Sequence, residues 1–404
     1  MIILNILFLT IGYPENVKDR NIYTDLMKEF KENGHNIYVV AARERRNKKE
    51  TELVNENDIT VLRVKTGNMQ KVNFLEKGIS TLLIESQYIN SIRKYLKNIK
   101  FDLVLYTTPP ITFEKVVKFI KQRDNCSSYL LLKDIFPQNA VDIRIIKQNS
   151  IIHKYFRKKE MSLYKISNYI GCMSRANVSY VLSHNKQLDA QKLEVCPNSI
   201  KPMSISITDE DKSMLKERYN IPTETTIFGY GGNLGKPQGI DFLIEVLTAN
   251  KNNKDVYFLI IGNGTEYKKI EDYIKNSSIT NAQLYSHMPK FDYDNIINLF
   301  DVGLIFLDGR FTIPNFPSRL LTYMEFSLPI LAATDINTDI REIIENEEIG
   351  FWTESGSIVE FNKNINLLCN DKKLRQEMGK KARLYLEKNY TVNRSYEIIM
   401  SHFK

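Results

Sequence analysis

The chain has 404 residues, 43% of them hydrophobic and 26% charged, which is too long for one core and ordinary for two globular domains. Its four cysteines (Cys126, Cys172, Cys196, Cys369) stand singly, which excludes a disulfide scaffold and a cysteine metal site and fits reduced thiols in a cytoplasm. The net charge of +8 is uneven: residues 1–200 carry 32 Lys+Arg against 20 Asp+Glu, while residues 201–404 carry 24 against 28.

The first half alternates strands and helices. The apolar opening MIILNILFLTIGYP has no basic leader and no small-residue cleavage site, so it reads as a buried parallel strand and not as a signal peptide. Helical periodicity follows at 21–33, then strands at 36–42, 59–65, 102–107 and 128–134, with helices at 79–99, 111–122 and 151–166. YIGCMS (169–174) and LEVCPNS (193–199) close the unit. Such alternation predicts a doubly wound parallel sheet. Residues 199–222, rich in Pro, Ser and Thr around a short charged helix, read as a linker.

The second half repeats the pattern, with strands at 226–234, 256–264, 282–288, 302–308 and 328–334 and helices at 239–249, 265–275, 292–299 and 316–326. From Asp371 onward the chain reads as a charged helical tail. The domain boundaries are therefore set at 1–198, 223–385 and a terminal helix, 386–404, that packs back on the first domain. Two such sheets face each other across a cleft, and ligands of such sheets bind outside the carboxyl ends of the strands.

The basic clusters lie in the first half, at Arg43, Arg45, Arg46, Lys48 and Lys49, at Arg93, Lys94, Lys97 and Lys100, and at Lys154, Arg157, Lys158 and Lys159. Ile151, Ile152, Tyr155 and Phe156 interleave the last of these. That pattern suits an anionic membrane surface or a pyrophosphate-bearing acceptor, or else a plain solvated face. No nucleic-acid motif accompanies the charge, so nucleic acid is not an expected partner.

FGYGGNLGKPQG (228–239) runs from a strand through a glycine-rich turn into a helix, and its glycines let N–H groups approach a phosphate closely; the alternative is a tight turn. Gly231, Gly232, Gly235 and Lys236 are the candidates there. Gly262-Asn263-Gly264 ends another strand, as a nucleoside contact or a strand-to-helix turn. Asp292 and Asp294 resemble a metal-binding pair but open a helix, and capping with helix-dipole stabilisation accounts for them. Asp134, at the carboxyl end of a buried strand, could take a proton from an incoming hydroxyl or could serve the turn. FPSRLLTYMEFSLPILA (316–332) reads as a helix begun by Pro317 and Ser318, which could present N–H groups to an anion. The five histidines form no ligand spacing, and neither a serine elbow nor an HExxH pattern occurs, so hydrolase and metalloenzyme readings lose support.

In order, GYGGNLGKPQGIDFLIEVL, FLIIGNGTEYKKIE, FDVGLIFL, PSRLLTYMEFSLPILAATD and DIREIIENEEIGFW resemble the retaining family-4 glycosyltransferases of GT-B fold, and LLKDIFPQNAVD with CPNSI resembles members that build bacterial capsule, exopolysaccharide and O-antigen. The resemblance implies two Rossmann-like α/β domains. The second holds a nucleotide-sugar donor such as a UDP-sugar, the first an acceptor, with no metal and no cofactor. By position, the family's phosphate-loop Arg and Lys fall on Asn233 and Gln238, leaving Lys236 and Arg319 as replacements. Its two glutamates eight positions apart fall on Pro314 and Thr322. Glu342 matches the glutamate of its Gly-Gly-x-x-Glu segment, whose glycines become Thr338 and Asp339.

The implied donor set is Gly231, Gly232, Asn233, Gly235, Gln238, Gly262, Asn263, His287, Met288, Pro317, Ser318, Leu320, Thr322 and Glu325, with Asp134, Lys236 and Arg319 as catalytic groups. The implied activity is retaining transfer of a hexosyl or N-acetylhexosaminyl group to a lipid-linked oligosaccharide, by a cytoplasmic enzyme peripheral to the inner face of the membrane. The alternatives are a GT-B subunit that has lost transfer and partners an active transferase, and, more weakly, a nucleotide-sugar 2-epimerase.

Overall fold

The structure, a computed structural model, describes residues 2–16, 19–69, 74–204, 207–286 and 288–403. The chain divides into two units, Met1–Lys201 with Val392–Lys404, and Pro202–Thr391. In the first, the strands are β1 (Asn5–Thr10), β2 (Asn36–Glu44), β3 (Glu52–Glu56), β4 (Ile59–Thr66), β5 (Leu103–Thr107), β6 (Ser127–Leu132), β7 (Tyr169–Cys172) and β8 (Leu193–Val195). Among the described residues they form one sheet of order β3-β4-β2-β1-β5-β6-β7-β8. All pairs given are parallel except β3 with β4.

Parallel strands covered on both faces must be apolar on both, and β1 and β5 show it: NILFLT is buried from Ile6 onward and LVLYT throughout. Helix Ile22–Glu32 starts at Asn21, whose side chain accepts from Thr24 N–H while the Thr24 hydroxyl meets the Asn21 N–H, so two orphan donors are satisfied together. The β3–β4 hairpin escapes sequence reading because its turn is Asn57-Asp58, both left-handed (φ 52° and 61°), without the glycine that usually marks such a turn.

Within this unit the sheet order reverses at β1, which lies between β2 and β5, and the loops leaving β1 and β5 open at that switch point. Arg63, fully buried on β4, holds the β1 loop there, donating to the Tyr13 and Pro14 carbonyls and pairing with Glu56 at 2.6 Å. A buried guanidinium this well bonded fixes geometry more than it adds stability.

The second unit carries β9 (Thr226–Asn233), β10 (Val256–Asn263), β11 (Ala282–Tyr285), β12 (Val302–Phe306), β13 (Ile330–Thr334) and β14 (Gly350–Glu354). Among the described residues the order is β11-β10-β9-β12-β13-β14, all parallel, with the reversal between β9 and β12. Its core packs Phe228, Tyr230, Leu243, Phe258, Leu304 and Phe361. β14 is too short and too mixed in pattern (GFWTE) to announce itself.

The charged tail is two helices, not one. Lys372–Asn389 belongs to the second unit, and Val392–Met400 folds into the first, where Val392, Tyr396 and Ile399 join the core of Phe8, Phe30 and Val39. Tyr396 meets Phe30 edge-on at 5.0 Å and its hydroxyl bonds His35 Nε2 at 3.1 Å. Ile399 is fully buried, so Ile399→Ala is expected to destabilise the first unit by about 2–4 kcal/mol, read as an earlier denaturant midpoint for that unit. An unchanged midpoint would show that the last helix is not part of its core.

Candidate functional site

The glycine-rich turn leaves β9 at the carboxyl edge of the second sheet, at the switch point. Glycine is demanded there by collision and by backbone. A Cβ on Gly231 would run into the Tyr293 hydroxyl, and Gly232 has φ 136°, which side-chain-bearing residues rarely adopt. Gly262 sits opposite Gly232 in the β9–β10 register, where a Cβ would strike the Gly232 carbonyl. The Gly262–Gly264 pair is therefore accounted for by the close approach of two strand ends, and Leu234 N–H donates to the Asn263 carbonyl at 3.0 Å.

Beyond the strand, Gly235 precedes a short 3₁₀ turn, Lys236–Gln238, and Gly239 (φ 55°) caps helix Ile240–Asn250. A Cβ on Gly239 would lie 2.9 Å from the Leu307 carbonyl, so the turn is pressed onto the loop that leaves β12, and Asp308 N–H donates to the Pro237 carbonyl at 3.1 Å. Lys236 is exposed, and Asn233 and Asn263 are exposed at the ends of their strands.

Arg319 reaches this turn from helix Arg319–Glu325. Its Nη2 donates to Gln238 Oε1 at 2.5 Å, and its Cζ stands 4.2 Å from the Tyr230 ring centroid. Its Nη1 is buried without a hydrogen-bond partner. The uncharged Gln238 thus receives at its side-chain oxygen a cation supplied by another element. The surrounding tyrosines are the site residues that sequence reading missed. Tyr323 Oη accepts from Gly231 N–H at 3.2 Å and donates to the Leu304 carbonyl at 3.0 Å, and Tyr230 Oη donates to the Asn233 carbonyl at 2.7 Å. Burial raises the Tyr293 hydroxyl to about 12, so all three act as neutral wall and brace. The available signal was the position of Tyr230 inside GYGG and of Tyr293 between two aspartates.

Other expected residues fall elsewhere. Helix Arg319–Glu325 is only seven residues long, its N-cap Ser318 makes no side-chain bond, and the Leu320 and Leu321 N–H groups are taken by the Pro317 and Ser318 carbonyls at 3.2 and 3.1 Å. The Leu320 side chain is fully buried, so neither its amide nor its side chain is offered to a ligand. Pro317 and Thr322 are half-buried and Ser318 is exposed. Glu325 is buried and its Oε1 accepts from Met203 N–H at 2.9 Å, while Arg383 Nη1 donates at 2.8 Å to both the Met203 and Glu325 carbonyls. It ties down the segment by which the chain enters the second unit.

Asp292 lies in the first turn of helix Lys290–Ile297, where the dipole favours it, but the N-cap is Pro289 and no side-chain cap bond forms, so only the dipole half of the capping expectation stands. Met288 is half-buried just before that helix, and His287 lies outside the described residues. Glu342 is exposed, and in place of two glycines Thr338 bonds the Asn315 carbonyl through Oγ1 at 2.5 Å.

In the first unit Asp134 follows β6 at the carboxyl edge. It caps no helix: Pro137 precedes helix Gln138–Asp142. Asn139 Nδ2 donates to Asp134 Oδ1 at 2.6 Å, and burial raises the carboxyl from its usual range to about 6 against the lowering effect of that bond. Asn139 Oδ1 is buried without a hydrogen-bond partner, and burial lowers neighbouring Lys133 to about 8.

The chain is similar to known proteins in sequence and in fold. Residues 211–385 match the family described as Glycosyl transferases group 1. The chain is 23% identical, over 80% of its length and 78% of the other's, to the probable glycosyltransferase WbjE of Pseudomonas aeruginosa. It is 24% identical, over 48% of its length and 50% of the other's, to the capsular polysaccharide biosynthesis glycosyltransferase CapM of Staphylococcus aureus. Among solved structures, Anabaena HepE in complex with UDP-glucose superposes with TM-score 0.73 at 14% identity, covering 99% of each chain. Residues 211–385 are thus similar to the glycosyl transferases group 1, in a chain whose two parallel-sheet α/β units make the GT-B fold.

Proposed function

We propose that this chain transfers a hexosyl or N-acetylhexosaminyl group from a nucleotide diphosphate sugar to a lipid-linked glycan of a bacterial surface polysaccharide, with retention, in the cytoplasm at the inner face of the membrane. The observation that carries the reading is the Arg319 guanidinium: desolvated, one nitrogen unpartnered, beside a turn whose glycines leave room for close backbone contact. A diphosphate supplies the missing acceptor, and bidentate binding to guanidinium is the strong form of that contact. The UDP-glucose complex of HepE and the surface-polysaccharide role of CapM support the donor and product classes.

The acceptor hydroxyl attacks the anomeric carbon on the face from which the diphosphate leaves. The bond from carbon to the diphosphate oxygen breaks, its electron pair stays on the diphosphate, and that oxygen takes the hydroxyl proton. Arg319, Lys236 and the N-terminus of helix Ile240–Asn250 stabilise the developing charge without a metal. Asp134 orients the acceptor hydroxyl from the first unit.

Arg319→Ala is expected to weaken UDP binding by about 10- to 100-fold, the loss of a charged hydrogen-bond donor, and to lower transfer at least as much, with Arg319→Lys between the two. Calorimetry with UDP and radiolabelled transfer from UDP- and GDP-sugars read this. Normal turnover by a folded Arg319→Ala protein would sink the donor assignment. Because the family's two glutamate positions are Pro314 and Thr322, a subunit without transfer is the second reading. It is favoured if no nucleotide diphosphate binds.

Asp134 sets the acid limb. Its raised pKa predicts that transfer increases from pH 5 to 7 as the carboxyl ionises near 6, and that Asp134→Asn lowers turnover about 100-fold and flattens that limb. The stability effect has the opposite sign. A carboxyl raised in the folded state favours folding while protonated, and that contribution is lost as pH rises through about 6, so Asp134→Asn should melt later than the parent at pH 8 but not at pH 4. Equal melting shifts at the two pH values would refute a buried, ionising Asp134.

A further inference from the structure

We propose that Tyr293 is a second side chain that touches the donor's diphosphate, its hydroxyl holding one phosphate across the end of β9 from the phosphate that Arg319 holds. Successive residues of a strand face opposite sides, and Gly231 and Gly232 stand in sequence at that end. A Cβ on Gly231 would run into the Tyr293 hydroxyl, and a Cβ on Gly232 would lie 3.4 Å from Arg319 Nη2. Phenol and guanidinium therefore flank the same two glycines, one to each residue. They lie close enough for the Arg319 charge to bear on the Tyr293 hydroxyl.

The backbone of the turn makes such side-chain contacts necessary. Gly231 N–H is taken by Tyr323 Oη at 3.2 Å and Leu234 N–H by the Asn263 carbonyl at 3.0 Å. Gln238 N–H goes to the Gly235 carbonyl at 3.0 Å and Gly239 N–H to the Lys236 carbonyl at 3.4 Å. A diphosphate laid here finds these four amides engaged, so part of its charge must be met by side chains. Arg319 offers Nη1, buried without a hydrogen-bond partner. Tyr293 offers an O–H. Burial, opposed by the Arg319 charge, raises that phenol to about 12, so the proton stays on across the neutral range and the group donates to a phosphate instead of repelling it. Packing on Gly231 would be met as well by phenylalanine, and the hydroxyl is what a phosphate adds to the requirement. The inference rests on the nucleotide diphosphate donor proposed above, and the two can fail separately.

The test compares the parent chain with Tyr293→Phe, using calorimetry with UDP and GDP and ligand-observed NMR with uridine and guanosine, which reads weak binding. The variant keeps the ring and loses one hydrogen bond to a charged group, so the diphosphate that the parent binds should weaken about 10-fold while its nucleoside binds as before. Sugar transfer should fall at least as far. A tyrosine with a merely structural role would move nucleoside and diphosphate alike, so the ratio of the two affinities decides even where the variant melts earlier. A ratio equal to the parent's overturns the inference and leaves the donor reading standing. A parent that binds neither diphosphate overturns both.

Discussion

A guanidinium withdrawn from water must be satisfied at every nitrogen or carry a cost, and the second unit is arranged around one that is not. Arg319 gives one nitrogen to Gln238 and its face to Tyr230, while Nη1 remains buried without a partner. Holding it so requires Tyr230 fixed by the Asn233 carbonyl and Tyr323 bridging Gly231 and Leu304. It also requires glycine at 231, where Tyr293 leaves no space for a side chain. In the proposed reading, an anion laid on the turn would relieve the unsatisfied nitrogen, and the local cost of folding would become selectivity for a charged ligand.

Under the proposed donor reading, the positive charge at this turn is supplied by another element. Residue 238 is a neutral amide, but its oxygen orients a guanidinium delivered from a helix eighty residues later. A site defined by a fixed list of positions misses such relocation, because the physical requirement is a cation near the strand ends and not a cation at one alignment column.

The strand–helix alternation was legible because buried parallel strands are continuous apolar runs, as in NILFLT and LVLYT. The Asn57-Asp58 hairpin was not, since its left-handed turn lacks glycine, and neither was the short β14. At the site, the glycine-rich turn and Arg319 could be read from local pattern. Tyr323 could not, because its role arises from a contact with Gly231 across a sequence gap of about ninety residues, and Tyr293 offered only its place between two aspartates. Glu325 was open to two readings, a donor contact one turn beyond Thr322 or a structural acid. Its spacing from Thr322 suggested one helix face, yet burial and the Met203 amide give it a structural partner that spacing does not reveal.

In the first unit a single geometric rule joins chemistry to surface. In a parallel sheet the loops after strands and the starts of the following helices share one edge, so the residues that touch a ligand and those that meet whatever carries it are neighbours by topology. Asp134 sits on that edge with a carboxyl raised to about 6 by burial and with Oδ1 accepting from Asn139 Nδ2, a setting suited to a neutral hydroxyl. Ile151, Ile152 and Tyr155 stand exposed at the same edge among cations. The lipid-linked acceptor proposed above would bring a sugar hydroxyl to the first of these features and an apolar end to the second.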